Sequence, residues 1–423
     1  MSEYPGIKDF LDSSPTAFHA AESISVALEK NGYKKLDETQ NWELESGRGY
    51  YIIRDGRGVI AFIPGGKAPE ASGFRIAAAH LDSPVMKLKT EGISWDKGAW
   101  KLPVEPYGTP VFQSWMDREL EIAGMVTCRD SSKTWRSGLP TAVIPSLAIH
   151  LNKEVNKGVE LNAQTHMTAL MPGIEDNTGT NPLLSRIFTD LKISPDDYLA
   201  SELYLVPVAP ASFTGSEGSQ LIVSGRLDNL AMSHAVLASL PEPENIGDAG
   251  LIALWFDAEE VGSRTTAGAA SLFPGEIIER IVLSFGGGRE ELFRARRNSF
   301  LVSADMAHAV HPNFSDRHDP SYSPLMGSGP VLKSHGQKHY ATDVYSESRV
   351  LEAAERAGVQ MQKLIFRSDL PCGFTVGPIS SAGLSISAVD IGNPLWAMHS
   401  SRETASISDH NSMIKLLVEC WKS

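Results

Sequence analysis

The chain has 423 residues, 42% of them apolar and 21% charged, which excludes a disordered or collagen-like protein and leaves room for two or three domains. Its 38 basic and 51 acidic residues give a formal charge of −13, a surface that repels polyanions, so no nucleic-acid partner is expected. No run reaches the roughly 18 apolar residues that span a bilayer. The start Met1-Ser2-Glu3-Tyr4-Pro5 lacks the basic-then-apolar pattern of a signal peptide, so neither membrane insertion nor export is expected.

Ser14-Pro15 opens a predicted helix carrying Phe18, Ala21, Ile24 and Leu28, with Gly32 just past its end. Strand-like runs follow at Tyr50 to Ile53, Val59 to Ile63 and Arg75 to Ala79. The third runs into His80-Leu81-Asp82-Ser83-Pro84. From about Gly92 the texture turns to Trp, Pro, Gly and short alternating runs, as in Trp100 to Val104 and Glu119 to Val126, and reads as β-rich. A polar connection from Lys153 to Gly173 carries His166. A new apolar strand spans Leu203 to Val208. Strands and helices then alternate. Leu251 to Phe256 leads into Asp257-Ala258-Glu259-Glu260, and Phe300-Leu301-Val302 leads into Ser303-Ala304-Asp305. Val350 to Ala357 lies in a helix ended by Gly358, and a strand from Leu384 to Ile391 leads into Met398-His399-Ser400. The fold class expected is α/β: a mixed sheet with helices on both faces over residues 1–91 and 223–423, interrupted by a β-rich domain at 92–222.

Five places share one grammar. A short apolar strand ends, and Asp, Glu or His follows: His80/Asp82, Asp228, Glu259/Glu260, Asp305 and His399. Strand C-termini are where open α/β sheets bind ligands. Two imidazoles with several carboxylates suit zinc, manganese or cobalt and need no thiolate. Carboxylates facing one another repel unless cations neutralise them, which argues for two ions with one bridging carboxylate. In a turn, Glu259 and Glu260 can diverge, one ligating while the other acts as general base.

Taken singly, each position has an ordinary reading. Glu-Glu is a favourable helix start, Asp228-Asn229 a helix cap, Asp305 a turn residue and His399 a core histidine. The five together, each at a strand end, point to a metal centre. Cys128, Cys372 and Cys420 are too few and too far apart for a disulfide framework or a paired-cysteine zinc site, so a reducing, cytoplasmic setting is the default. His311, His318, His335 and His339 make a local histidine density and read as loop residues. Gly286-Gly287-Gly288 lacks a dinucleotide fingerprint and reads as a turn.

The sequence resembles the aspartyl aminopeptidases, dinuclear-zinc exopeptidases, along essentially its whole length. The resemblance runs from Asp9-Phe10-Leu11 and Ser13-Ser14-Pro15-Thr16-Ala17-Phe18-His19 through His80-Leu81-Asp82-Ser83-Pro84 and Arg226-Leu227-Asp228-Asn229. It continues through Asp257-Ala258-Glu259-Glu260-Val261-Gly262-Ser263, Ser303-Ala304-Asp305-Met306-Ala307-His308 and Pro394-Leu395-Trp396-Ala397-Met398-His399-Ser400. Val85-Met86-Lys87-Leu88 departs from it, where many relatives carry a Cys and an Arg.

The resemblance implies that His80, Asp228, Glu260, Asp305 and His399 hold two zinc ions, with Asp228 bridging and cobalt or manganese able to substitute. Asp82 would orient the His80 ring, and Glu259 would be the general base. His166, His308, Lys333 and Tyr340 would contact substrate, His166 in a neighbouring subunit's site. The activity implied is removal of the N-terminal residue of peptides, with a preference for Asp or Glu, in a large homo-oligomer, a dodecamer built through the inserted domain. The alternatives are the same chemistry with a leucine-like preference, a metallocarboxypeptidase or deacylase of similar core, and a catalytically silent assembly protein. An intact Glu259 argues against the last.

Overall fold

Ala77, Ala78 and Ala79 are buried in the strand Phe74–His80, the fifth of nine in a mixed sheet. The computed structural model describes residues 4–173, 181–216 and 220–422. Across the sheet the strands run Lys34–Lys35, Tyr50–Arg54, Gly58–Ile63, Gly250–Phe256, Phe74–His80, Phe300–Ala304, Ser387–Gly392, Val331–Lys333 and Gln362–Leu364. The four strands from Gly250–Phe256 to Ser387–Gly392 are mutually parallel. Their side chains alternate between faces, and both faces are covered, which is why these strands read as continuous apolar runs.

On one face Ala77, Ala79, Trp255, Val302 and Val389 pack with Ile24, Leu28, Leu230, Val236, Val350 and Leu416 from the helices Ala17–Lys30, Leu227–Ser239, Val344–Ala357 and Ile407–Cys420. On the other, Ile76, Ala78, Leu254, Leu301 and Ala388 pack with Phe273, Ile277, Leu292 and Val376 from Phe273–Ser284, Arg289–Arg297 and Val376–Leu384. Burying side chains such as Leu416 or Phe273 contributes about 1.5–3 kcal/mol each.

The chain divides into two compact units. One holds residues 1–82, 211–398 and 403–423, the other 83–210 and 399–402. Both divisions fall earlier than the expected ones at 91/92 and 222/223. Val85–Leu88 pairs with Val104–Tyr107 and Tyr198–Pro207 in the inserted unit, and the hairpin Ser212–Thr214 with Leu221–Ser224 pairs with Glu403–Ser406 in the first. The inserted unit is β-rich, with a five-stranded antiparallel sheet, a three-stranded one and the helix Pro182–Leu191 around Met86, Leu120, Ile122, Ile187 and Leu203. The single run expected at Trp100 to Val104 is two strands, Ala99–Leu102 and Val104–Tyr107, interrupted at Pro103, which has no N–H to donate. The strand expected from Leu384 begins at Ser387. Leu384 is the last residue of a helix, and Ser385 (φ 56°) closes it in the left-handed region.

His234, on Leu227–Ser239, and His410, on Ile407–Cys420, form a buried imidazole pair. His410 Nε2–H donates to His234 Nδ1 (2.9 Å), and His234 Nε2–H donates to Pro5 O (2.8 Å). Burial pushes His234 down to about 4 and His410 well below the usual histidine range. Below about 6.5 the unfolded chain therefore binds protons that the native chain refuses, and stability falls as pH drops from about 6.5 towards 4. Other groups titrate in the same window, so the test is a comparison. The urea midpoint of metal-free protein should fall more steeply with acidification than that of His410→Leu. Parallel declines would show that the pair is not held neutral.

Candidate metal centre

Strand register brings the chemistry together. His80 lies opposite Phe256, so Asp257 to Glu260 emerge beside it, and Ser303 lies opposite Ala78, so Asp305 emerges abreast of His80. All three chains leave at the C-terminal ends of parallel strands. The turn Glu259–Val261 follows Ala258 in the left-handed region (φ 59°). The buried carboxylate of Asp82 holds that turn, accepting the Glu259 N–H on Oδ1 and the Glu260 N–H on Oδ2, each at 3.1 Å. His80 Nδ1–H donates to the Asp82 carbonyl (3.0 Å), with Asp82 Oδ1 at 3.4 Å. Asp82 thus does more than face the histidine: it sets the backbone of both glutamates.

His80 Nε2 points into the carboxylates, 3.7 Å from Asp228 Oδ1, 3.7 Å from Asp305 Oδ2 and 4.0 Å from Glu259 Oε2. Donor atoms of His80, Asp228 and Asp305 lie within 4.8 Å of one another, as do those of His80, Glu259 and Glu260. Asp228 precedes a cis peptide to Asn229, and its N–H donates to buried Glu403 (3.1 Å). Asn229 donates to Ala304 O (3.0 Å) and accepts from Met306 N–H (3.3 Å), tying the Asp228 segment to the Asp305 turn. A Cβ at Gly392 would come within 1.7 Å of Asp305 O, so only glycine lets that turn approach.

Burial raises Glu259 to about 8; the His80 charge opposes this, and the neighbouring Asp305, Asp82 and Asp228 add to it. Burial, then Asp228, drives Glu260 well above the usual carboxylate range. The cluster therefore lacks positive charge. Asp305 is the exception. Burial would raise it, but Lys333 and His80 outweigh that and hold it at about 2. Hard oxygen donors, one imidazole and excess negative charge in a buried site fit a zinc-type dication.

His399 opens the segment 399–402 of the inserted unit. Its Nδ1–H donates to Thr109 Oγ1 (2.8 Å) and Thr109 O (3.2 Å), which leaves Nε2 as the nitrogen able to ligate. His166 is exposed on the short helix Ala163–His166, also in the inserted unit. Lys333 is neither an open anion receptor nor a surface residue. It is 1% exposed, and its ammonium donates to Asp305 Oδ1 (3.0 Å) and Met306 O (3.1 Å), with the Tyr340 ring centre 5.1 Å away. His308 packs edge-on against Phe366 (5.4 Å) and lines a cavity of about 300 Å³ with Arg317, His318, Asp319 and Arg367. Sequence reasoning missed Asn229, Glu403 and Ser233, whose hydroxyl donates to His80 O (2.7 Å). Asn229 was adjacent to a flagged aspartate, but nothing marked the other two.

The family model for aminopeptidase I zinc metalloproteases (M18) matches residues 10–421. The chain belongs to the M18 family. A Clostridium novyi protein named "Probable M18 family aminopeptidase 2" is 38% identical over 421 residues, 98% of this chain and 97% of the relative. Among solved structures, a chain of the Ape4 and Nbr1 complex superposes with a TM-score of 0.93 at 30% identity, covering 98% of this chain and 84% of that one. The S. cerevisiae mApe1 dodecamer superposes with a TM-score of 0.83 at 25% identity, covering 98% and 95%. This M18 protein is thus a metalloaminopeptidase of a zinc-dependent family, as the resemblance implied. Among the described residues no helix is long and apolar enough to cross a membrane.

Proposed function

We propose that this M18 aminopeptidase binds two zinc ions, prefers Asp or Glu at the peptide N-terminus and works as a homo-oligomer in the cytoplasm. The observation that carries the two-ion reading is the donor count. His80, Asp228, Glu260 and Asp305, with His399 as the fifth ligand, exceed the four that one structural zinc takes. Asp228 would be the carboxylate shared between the two ions. Zinc bound there supplies Lewis acidity and lowers the pKa of a coordinated water towards neutrality.

The chain's own residues do the rest. Glu259 takes a proton from the attacking water and passes it to the leaving amine. Asp82, through the two N–H groups it accepts, keeps the Glu259 and Glu260 side chains on their separate tasks. His308 lies near enough to the basic cavity to donate to substrate oxygen, and Tyr340 packs beneath the Lys333 ammonium.

Acidic preference is supported by two guanidinium groups in the lining of that cavity, Arg317 and Arg367, the latter paired with Asp369, beside the carboxylate of Asp319. One panel tests the reading: kcat/KM on aspartyl, glutamyl and leucyl chromogenic substrates, before and after prolonged chelation. Acidic substrates should lead, chelation should abolish turnover, and zinc, cobalt or manganese should restore it. Full turnover in protein shown metal-free by elemental analysis would sink the metal requirement, and a leucyl lead would replace acidic with neutral preference.

Assembly is supported by exposed apolar side chains in the inserted unit, Leu139 (49%), Leu147 (57%), Ile149 (51%) and Leu151 (74%), and by the dodecamer of the yeast relative. The three free cysteines accord with a reducing compartment. If His166 completes a neighbour's site, inactive His166→Ala and Glu259→Gln proteins, mixed after dissociation and reassembled, should recover activity above either alone. Full activity of His166→Ala by itself would end the shared-site idea.

A further inference from the structure

We propose that His335, His339 and Cys372 form a third metal site, separate from the carboxylate centre, that takes one thiophilic divalent ion such as zinc, cobalt or cadmium. One donor atom from each lies within 4.8 Å of the other two. A tetrahedral zinc needs donors about 3.5 Å apart, so a closure of no more than about 1.3 Å is required. All three residues sit outside helices and strands, in the segments between Val331–Lys333 and Val344–Ala357 and between Gln362–Leu364 and Val376–Leu384.

The local geometry suits an ion. His339 Nδ1–H donates to the Cys372 carbonyl (3.1 Å), the kind of outer bond that orients a ligating imidazole. Its ring is fixed by stacking on Phe374 at 4.1 Å and 22°. The His335 and His339 rings lie 4.5 Å apart, with no carboxylate in the group. His335 Nδ1 accepts a long bond from Gln337 N–H (3.3 Å), which an ion can displace. Cys372 is half-buried, whereas Cys128 and Cys420 are buried. Two imidazoles and a thiolate select zinc-like ions and discriminate against magnesium and calcium. Binding releases the thiol proton to solvent and changes no oxidation state. The group lies beside Tyr340, whose ring is edge-on to that of His335 at 6.4 Å and faces the Lys333 ammonium.

The test is a cobalt(II) titration of the full-length chain after chelator treatment, followed by thiolate-to-cobalt charge-transfer absorbance in the near ultraviolet. The carboxylate centre contains no sulfur and cannot give this band. The band should saturate with one equivalent, vanish in Cys372→Ser and persist in Cys420→Ser and in Glu260→Gln. His339→Ala should weaken cobalt binding at this site by at least the roughly tenfold to hundredfold that even an outer-shell partner is worth. A wild-type chain without the band at saturating cobalt, or an undiminished band in Cys372→Ser, overturns the proposal. Neither result bears on the aminopeptidase reading.

Discussion

Replacing Glu259 by Gln should lower kcat by about two to four orders of magnitude while leaving zinc content unchanged. The amide keeps the shape of the side chain and its place in the Glu259–Val261 turn, because the turn is held by backbone N–H groups bonded to Asp82 and not by the glutamate side chains. What the amide cannot do is accept a proton from water. Glu260→Gln, one residue along the same turn, should instead lose metal, since a neutral amide is a far weaker zinc ligand than a carboxylate. Elemental analysis beside steady-state kinetics separates the two. If Glu259→Gln loses zinc and Glu260→Gln keeps it with low turnover, the base and ligand roles are exchanged.

Lys333→Met should destabilise the metal-free protein by about 3–5 kcal/mol, the cost of stranding one partner of a buried ion pair. The stranded partner is Asp305, 7% exposed and 3.0 Å from the ammonium. The sign with pH follows from the depressed Asp305 pKa. Its contribution is complete above about 3.9, the unfolded value, and is lost as pH falls through about 2. Added zinc should recover much of the loss, because a dication beside Asp305 replaces the missing charge. Urea unfolding with and without zinc checks this, and a loss under about 1 kcal/mol in metal-free protein would contradict it. Kinetics give a second readout. If aspartyl and leucyl kcat/KM fall equally, Lys333 acts by positioning Asp305; a larger aspartyl loss assigns it to recognition of the substrate carboxylate.

Much of the fold was legible because burial on both faces of a parallel sheet writes itself into sequence as short apolar runs with polar ends. Val59 to Ile63, Arg75 to Ala79 and Leu251 to Phe256 were readable for that reason, and so were the His, Asp and Glu residues following such runs. Leu384 was misread because an apolar residue at the end of a helix looks like one at the start of a strand until Ser385 is seen in the left-handed region. The extent of the inserted unit was blurred because Val85–Leu88 and Ser212–Thr214 carry the same strand pattern, and only pairing partners decide which sheet each joins. In the site, Lys333 was visible as a residue but not as the counter-charge of Asp305, since nothing local to Val331–Lys333 encodes what its ammonium meets. Glu403 and Ser233 act through the Asp228 amide and the His80 carbonyl, and a side chain that bonds to backbone far away leaves no spacing to read.

The position of Phe74–His80 in the sheet also constrains how the chain is born. Its two neighbours, Gly250–Phe256 and Phe300–Ala304, lie beyond the whole inserted unit in sequence. At about 5–20 residues per second, the central strand leaves the ribosome on the order of 10–30 s before the first of them exists. During that interval three consecutive buried alanines and Ile76 have no sheet to enter, while residues 83–210 can already gather their own core. Nascent chains paused before Gly250 should therefore present a protease-resistant inserted unit and a protease-sensitive N-terminal segment, and that segment is where a chaperone would be expected to bind first.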